Sequence, residues 1–143
     1  VEMKERKERA VDAVMACQSA IKHGIVPGGE IAFLVASGVV KDSPVLGEQI
    51  LYHALKKPFK QLVENSGKNS GEVLSTLYQQ QKDYKSINIG YDVISESYVN
   101  MIDAGIVDPF DCPEVAIKVA TSVAGQIISI GCCIVPELDE NKK

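Results

Sequence analysis

The residues of this chain whose types and settings could do chemistry are three aspartates, Asp12, Asp92 and Asp108, and the glycine pair Gly28-Gly29. A carboxylate can orient or deprotonate a water molecule, or accept hydrogen bonds from sugar hydroxyls. Glycines at the opening of a helix let the backbone approach a ligand closely, because no Cβ stands in the way. Asp108 precedes Pro109, whose preset φ suits the first helical position and which turns the residue before it away from helical geometry. That pair predicts Asp108 at the end of a short strand and the mouth of the next helix, facing a ligand. A helix N-cap is the plainer reading, and both can hold at once. On their own residues Asp92 reads as a strand-end turn, Asp12 as a solvent-facing carboxylate in a charge run, and Gly28-Gly29 as a helix-breaking turn after Pro27.

These residues need elements to hold them. Residues 1–23 read as a helix whose first two turns are almost wholly charged and lie in solvent or bridge two bodies. Its apolar stripe begins late, at Val11, Val14, Met15 and Ile21, which predicts a helix that leaves one body and docks on another. Glu30–Val40 and Val45–Leu55 follow as helices, and Pro58 opens a third over Phe59–Asn65, with Phe59, Leu62 and Val63 inward. A polar loop over Gly67–Gly71 precedes a helix over Glu72–Gln80. Ser86–Tyr91, Gly105–Val107 and Gly131–Pro136 read as short strands. The apolar helix from Pro109 or Pro113 to Ile128 is expected to be central, and Glu137–Lys143 to be a charged, disordered tail.

A chain of 143 residues can bury a substantial core, and its formal charge of −4 lacks the basic footprint of a nucleic-acid binder. No apolar run approaches the length of a membrane span. The four cysteines, Cys17, Cys112, Cys132 and Cys133, have neither a CxxC nor any metal-ligand spacing, and only His23 and His53 accompany them. The adjacent pair Cys132-Cys133 reads as reduced, packed thiols. Neither the serines Ser95, Ser97 and Ser122 nor the two histidines suggest a nucleophile–base arrangement.

The segment Gly90–Pro109 resembles the nucleotide-closing part of the group I chaperonins, GroEL-type. Val1–Ala13 is similar to that family's charged helix leading to its catalytic aspartate. Gly24-Ile-Val-Pro-Gly-Gly29 looks like its glycine-rich turn, Ala116–Ala124 with Gly125 like its last long helix, and Cys133-Ile-Val like the apolar strand after it. The matches run in order from end to end, with a divergent middle from about Ser43 to Ile89. The implied fold is mainly α, one half of a chaperonin equatorial domain, a helical bundle with a few short strands. Residues 1–22 would be the descending intermediate-domain helix, 23–136 the C-terminal half of the equatorial ATPase domain, and 137–143 the tail.

The resemblance also implies roles. Asp12 takes the place of the hydrolytic carboxylate, Gly29 of a nucleotide contact, Asp108 of the ribose contact, and Asp92 with Val93 of the base-contacting turn. Three positions depart from the family's pattern. Glu30 stands where a third glycine is usual, and a carboxylate beside a triphosphate repels it unless it turns outward. Val93 and Ile94 are bulkier than the usual small residues and could narrow the adenine pocket. The family's phosphate loop of Asp-Gly-Thr-Thr-Thr type, its magnesium-holding carboxylate and its client-binding domain do not occur in these residues. The cofactor implied for the complete protein is ATP with Mg2+, with none held tightly by this stretch, which is expected to hydrolyse ATP at a negligible rate. The implied partners are unfolded client proteins, a co-chaperonin and heptameric rings of identical subunits, with no nucleic acid and no membrane. The chain itself is expected to self-associate through apolar surface or through edge strands near Ser86–Tyr91 or Gly131–Val135. The organellar flavour of the glycine turn and of Gly90-Tyr-Asp points to the mitochondrial matrix, ahead of plastid or bacterial cytoplasm. Two other classes remain: a free-standing helical interaction module without ATPase activity, and a small hydrolase using Asp12 with Asp108. The hydrolase lacks a nucleophile, a metal set and a phosphate loop.

Overall fold

The computed structural model of the chain describes residues 2–132 and residue 134, and these form two compact units, Val1–Pro113 and Glu114–Lys143. In the first unit the order is α1 (Glu2–His23), β1 (Ile25–Pro27), α2 (Ile31–Val39), α3 (Leu46–Ala54), α4 (Lys57–Asn65), α5 (Ser70–Asp83), β2 (Ile89–Asp92), β3 (Ser97–Asn100) and β4 (Val107–Pro109). A last helix, α6 (Asp111–Ser129), begins there and makes up most of the second unit. The chain is thus mainly helical with two antiparallel two-stranded sheets, β1–β4 and β2–β3.

The core follows from the apolar spacing of α2, α4 and α5. Ile31 and Leu34 of α2, Phe59 and Val63 of α4, and Val73, Leu74 and Leu77 of α5 each recur at three or four residues, so each helix turns one stripe inward. Tyr91 from β2 and Met101 after β3 close the cluster from the sheet side. Local chemistry sets the boundaries. Pro58 sits in the first turn of α4, and Asn69 caps α5 by accepting from the N–H groups of Gly71 and Glu72. The hairpin is fixed to α5 by the Tyr98 hydroxyl donating to the Val73 carbonyl and by the Gln81 amide donating to the Ile89 carbonyl.

Four expectations are corrected here. Pro109 does not start the helix: it ends β4, opposite Ile25, and α6 begins at Asp111. A proline lacks the N–H of an inner ladder position and is tolerated on so short a strand. The apolar stripe of α1 is not covered among the described residues: Val11, Val14, Met15 and Ile21 are all exposed, while α1 does contact β4. Nor is α6 central. None of its residues is buried, and Val115, Val119, Val123 and Ile127, four apart on one stripe, are all exposed. Cys132 is exposed rather than packed, while Cys133, Val135 and residues 136–143 lie outside the described residues, and with them half of the expected strand Gly131–Pro136 and the whole charged tail. Of the expected edge strands, the first is displaced to Ile89–Asp92.

Candidate functional site

The β1–β4 ladder sets the segment leading to the glycine pair beside the strand that carries Asp108. Val26 lies opposite Asp108 and Pro27 opposite Val107, and the Gly28 N–H continues the pairing to the Ile106 carbonyl at 2.9 Å. The chain then reverses through Gly29, at φ 62°, into α2. Glycine holds this left-handed φ without strain, and a Cβ there would have to push aside the methyl end of Met101. The same methionine covers Gly90 in β2, where a Cβ would meet its sulfur at 2.7 Å and Ile31 Cγ1 at 2.8 Å. One buried side chain therefore packs on both the glycine turn and the first strand of the hairpin.

Glu30 follows Gly29 and is also left-handed, at φ 65°, a conformation that costs a side-chain-bearing residue about 1 kcal/mol relative to glycine. It occupies the N-cap of α2 without making a side-chain capping bond. The residue is half-buried, and its carboxylate lies close enough to Asp108 to feel its charge. Burial and then the neighbouring Asp108 push the Glu30 carboxyl above its ordinary range. Desolvation by the surrounding backbone raises Asp108 as well, although that residue keeps open access to solvent. Among the described residues no lysine or arginine pairs with either; the ion pairs lie elsewhere, along α1, in α6, between Lys68 and Glu96, and between His23 and Asp111. Two under-neutralised carboxylates beside backbone with no Cβ suit a ligand that donates from hydroxyl groups.

Asp92 and Val93 sit at the tip of the hairpin. The Asp92 carboxylate accepts from the N–H groups of Ile94 (3.0 Å) and Ser95 (3.3 Å) and from the Ser95 hydroxyl (2.6 Å). The hydroxyl bond first, then the Ile94 bond, hold this carboxyl below its usual range. The turn reading of Asp92 is thereby fully expressed, and its side-chain oxygens are engaged within the loop. Val93 packs against the core cluster, whereas Ile94 is 91% exposed and crowds nothing.

The structure does not bring Asp12 to this place. It is exposed on α1, eleven residues before His23, or about 16 Å along the helix from the end that meets β4.

Sequence reading missed one cluster. Ser19 and His23, one turn apart near the end of α1, meet Asp111 at the start of α6. The Ser19 hydroxyl donates to the Asp111 carboxylate, and His23 Nδ1 stands 3.4 Å from Ser19 Oγ and 3.6 Å from Asp111 Oδ2. The serine proton is spent on the carboxylate rather than offered to the imidazole, so the trio is a clasp and not a nucleophile with its base. The i,i+4 spacing of Ser19 and His23 was visible in the sequence; their partner 92 residues away was not. A shallow depression of about 390 Å³, lined by Ala54, Lys57, Pro58, Lys60, Gln61 and Glu64, lies around α4 and holds no convergent catalytic set. Among the described residues no group of three or more His, Cys, Asp or Glu could hold a metal ion, and no helix is long and apolar enough to cross a membrane.

Comparison with known proteins places this arrangement. The model of the TCP-1/cpn60 chaperonin family matches residues 1–137. Among solved structures, a group III chaperonin in the open state is similar at a TM-score of 0.72 and 31% identity, over 81% of this chain and 25% of that one. The chain thus spans about a quarter of the length of the protein it matches.

Proposed function

Since the chain belongs to the TCP-1/cpn60 chaperonin family, we propose that it forms the nucleotide-closing part of an ATP-driven protein-folding machine. Chaperonins of this family use ATP with magnesium and assemble into rings that bind client proteins. The observation that carries the proposal is the β1–β4 ladder, which sets Asp108 opposite Val26 on the strand that runs on through Gly28-Gly29 into α2. Asp108 would accept from the ribose hydroxyls, Gly29 would give the sugar close backbone approach, and the hairpin tip at Asp92-Val93 would border the base. Asp12, standing apart on α1, would hold the water that attacks the terminal phosphate. Bound ATP with magnesium supplies the phosphoryl group and the charge that neutralises its transfer. Asp108 would serve the sugar end of such a ligand, and among the described residues no lysine or arginine pairs with that carboxylate. Kinship with group I, heptameric rings, a co-chaperonin and a mitochondrial setting belong to the same proposal and rest on the motifs Gly24–Gly29 and Gly90–Pro109.

The test is nucleotide binding by the full-length protein. Replacing Asp108 by asparagine keeps the shape and removes the charge-assisted acceptor, for an expected loss of roughly 10- to 100-fold in affinity. An unchanged affinity in a titration would overturn the assignment of the site.

The exposed stripe of α6 has a consequence for the chain as a separate polypeptide. Val115, Val119, Val123 and Ile127 form an apolar band that water disfavours. Expressed alone, this chain is expected to self-associate, with a sedimentation coefficient that rises with concentration. Glutamate at Val119 and Val123 should return it to the monomer; concentration-independent sedimentation of the unaltered chain would contradict the reading.

A further inference from the structure

The polar side-chain ties between α1 and the rest of its unit gather at one end of the helix. Among the described residues the side-chain hydrogen bonds and ion pairs of α1 run within the helix, except those of Ser19 and His23 to Asp111. The Ser19 hydroxyl donates to the part-buried Asp111 carboxylate, and His23 Nδ1 stands 3.6 Å from Asp111 Oδ2. The backbone beside this clasp is permissive. Gly24 ends the helix at φ 85°, and a Cβ there would meet nothing within 4 Å. Its N–H donates to the Ala20 carbonyl, and its own carbonyl accepts from the Phe110 N–H at 3.0 Å. Asp111 is three residues beyond Asp108 on the chain that leaves β4. The clasp thus ties the helix that carries Asp12 to the strand that carries Asp108.

We propose that Asp111 is a positioning residue for ATP hydrolysis: by gripping Ser19 and His23 it fixes the direction of α1, and with it the place of Asp12. The proposal rests on the reading of Asp12 as the group that holds the attacking water. Asp12 lies about 16 Å along the helix from His23, so a rotation at the joint is magnified before it reaches the carboxylate. A tilt of about 4° moves a point at that distance by about 1 Å, and a misplacement of that size can cost about 10²-fold in rate. The apolar side chains Val11, Val14, Met15 and Ile21 are exposed, so they give the helix little packing to resist such a tilt. Asp108 is placed differently, by its pairing opposite Val26 in the β1–β4 ladder. Loosening the clasp therefore acts on the chemical step and leaves nucleotide binding nearly as it was.

The experiment measures ATP turnover and magnesium ADP affinity of the full-length protein carrying Asp111→Ala, Asp111→Asn or Ser19→Ala, each alone and beside Asp12→Ala. Alanine at 111 removes both contacts and is expected to lower kcat about tenfold, with KM and ADP affinity within about threefold. Asparagine keeps an oxygen for the Ser19 hydroxyl and should hold kcat within about threefold of the unaltered protein. Ser19→Ala removes one contact and should lower kcat about threefold, so a folding defect in Asp111→Ala does not silence the test. Beside Asp12→Ala, the further loss from Asp111→Ala should be less than about twofold, because the group it positions is already gone. A contribution to folding alone would cut the active fraction by the same factor in either background. Unchanged kcat in both Asp111→Ala and Ser19→Ala, or an equal further loss beside Asp12→Ala, would overturn the role of Asp111. Turnover unaffected by Asp12→Ala alone would instead remove the reading of Asp12, and the role of Asp111 with it.

Discussion

Replacing Asp12 by alanine in the full-length protein is expected to lower ATP turnover on the order of 10²- to 10⁴-fold, the usual range for losing a positioned acid or base. Nucleotide affinity should stay within about threefold, because Asp12 stands roughly 16 Å along α1 from the end where β4 and its Asp108 pack. Folding should not change either. The residue is exposed, and the ion pairs that brace α1, Arg6–Glu2, Arg9–Glu5 and Lys4–Glu8, all lie before it. Asparagine in the same place separates two roles: it can still orient water by accepting a hydrogen bond but cannot take its proton. Phosphate release under saturating ATP, measured beside a binding titration, reads both quantities. Turnover unchanged in the alanine variant would remove Asp12 from the reaction.

The second large effect is structural. Phe59→Ala should cost about 3–5 kcal/mol, the range for emptying a fully enclosed aromatic position. Phe59 is 0% exposed at the centre of a cluster shared by α2, α4 and α5. Domains carry only about 5–15 kcal/mol of net stability, so such a loss takes a large part of it. Urea denaturation followed by circular dichroism would read this as a fall in the midpoint, whereas Lys57→Ala on the exposed side of α4 should stay within about 0.5 kcal/mol. The loss should reach the site as well. Ile31 belongs to the same cluster and is the first residue of α2, directly after Gly29 and Glu30, so loosening the core loosens the turn. A midpoint close to that of the unaltered chain would mean that the cluster does not set the stability of this unit.

The sequence was most readable where one local rule acted alone. Apolar spacing gave α2 and α4, and Pro58 marked the beginning of α4, whereas α5 begins at Ser70, inside the expected polar loop, behind a cap at Asn69 that was not read. Reading was poorest where a residue's fate depended on distant chain. Pro109 carries every local mark of a helix start, yet its pairing with Ile25, far upstream, makes it the end of β4. The strands Ile25–Pro27 and Ser97–Asn100 are too short to show an alternating pattern, and their partners alone define them. The stripes of α1 and α6 were seen correctly as apolar, but spacing says which face seeks a partner and not whether one is present. For the site, residue types told what Asp108 and the glycines could do. That Ser19 and His23 find Asp111 required the folded chain.

Met101 ties together two positions that the chain keeps far apart. Its side chain lies over Gly29 at one place and Gly90 at another, leaving no space for even a methyl group at either. The three residues therefore cannot be inherited independently. A lineage that exchanged Gly90 for alanine would need both Met101 and Ile31 to give way, and a shorter residue at 101 would uncover the turn at Gly29. Each single step is worse than its starting point, so the trio should persist or be replaced together. Any copy of this chain that has abandoned the ligand is expected to show its earliest changes elsewhere, at positions such as Glu30 or Ile94 that can vary one at a time.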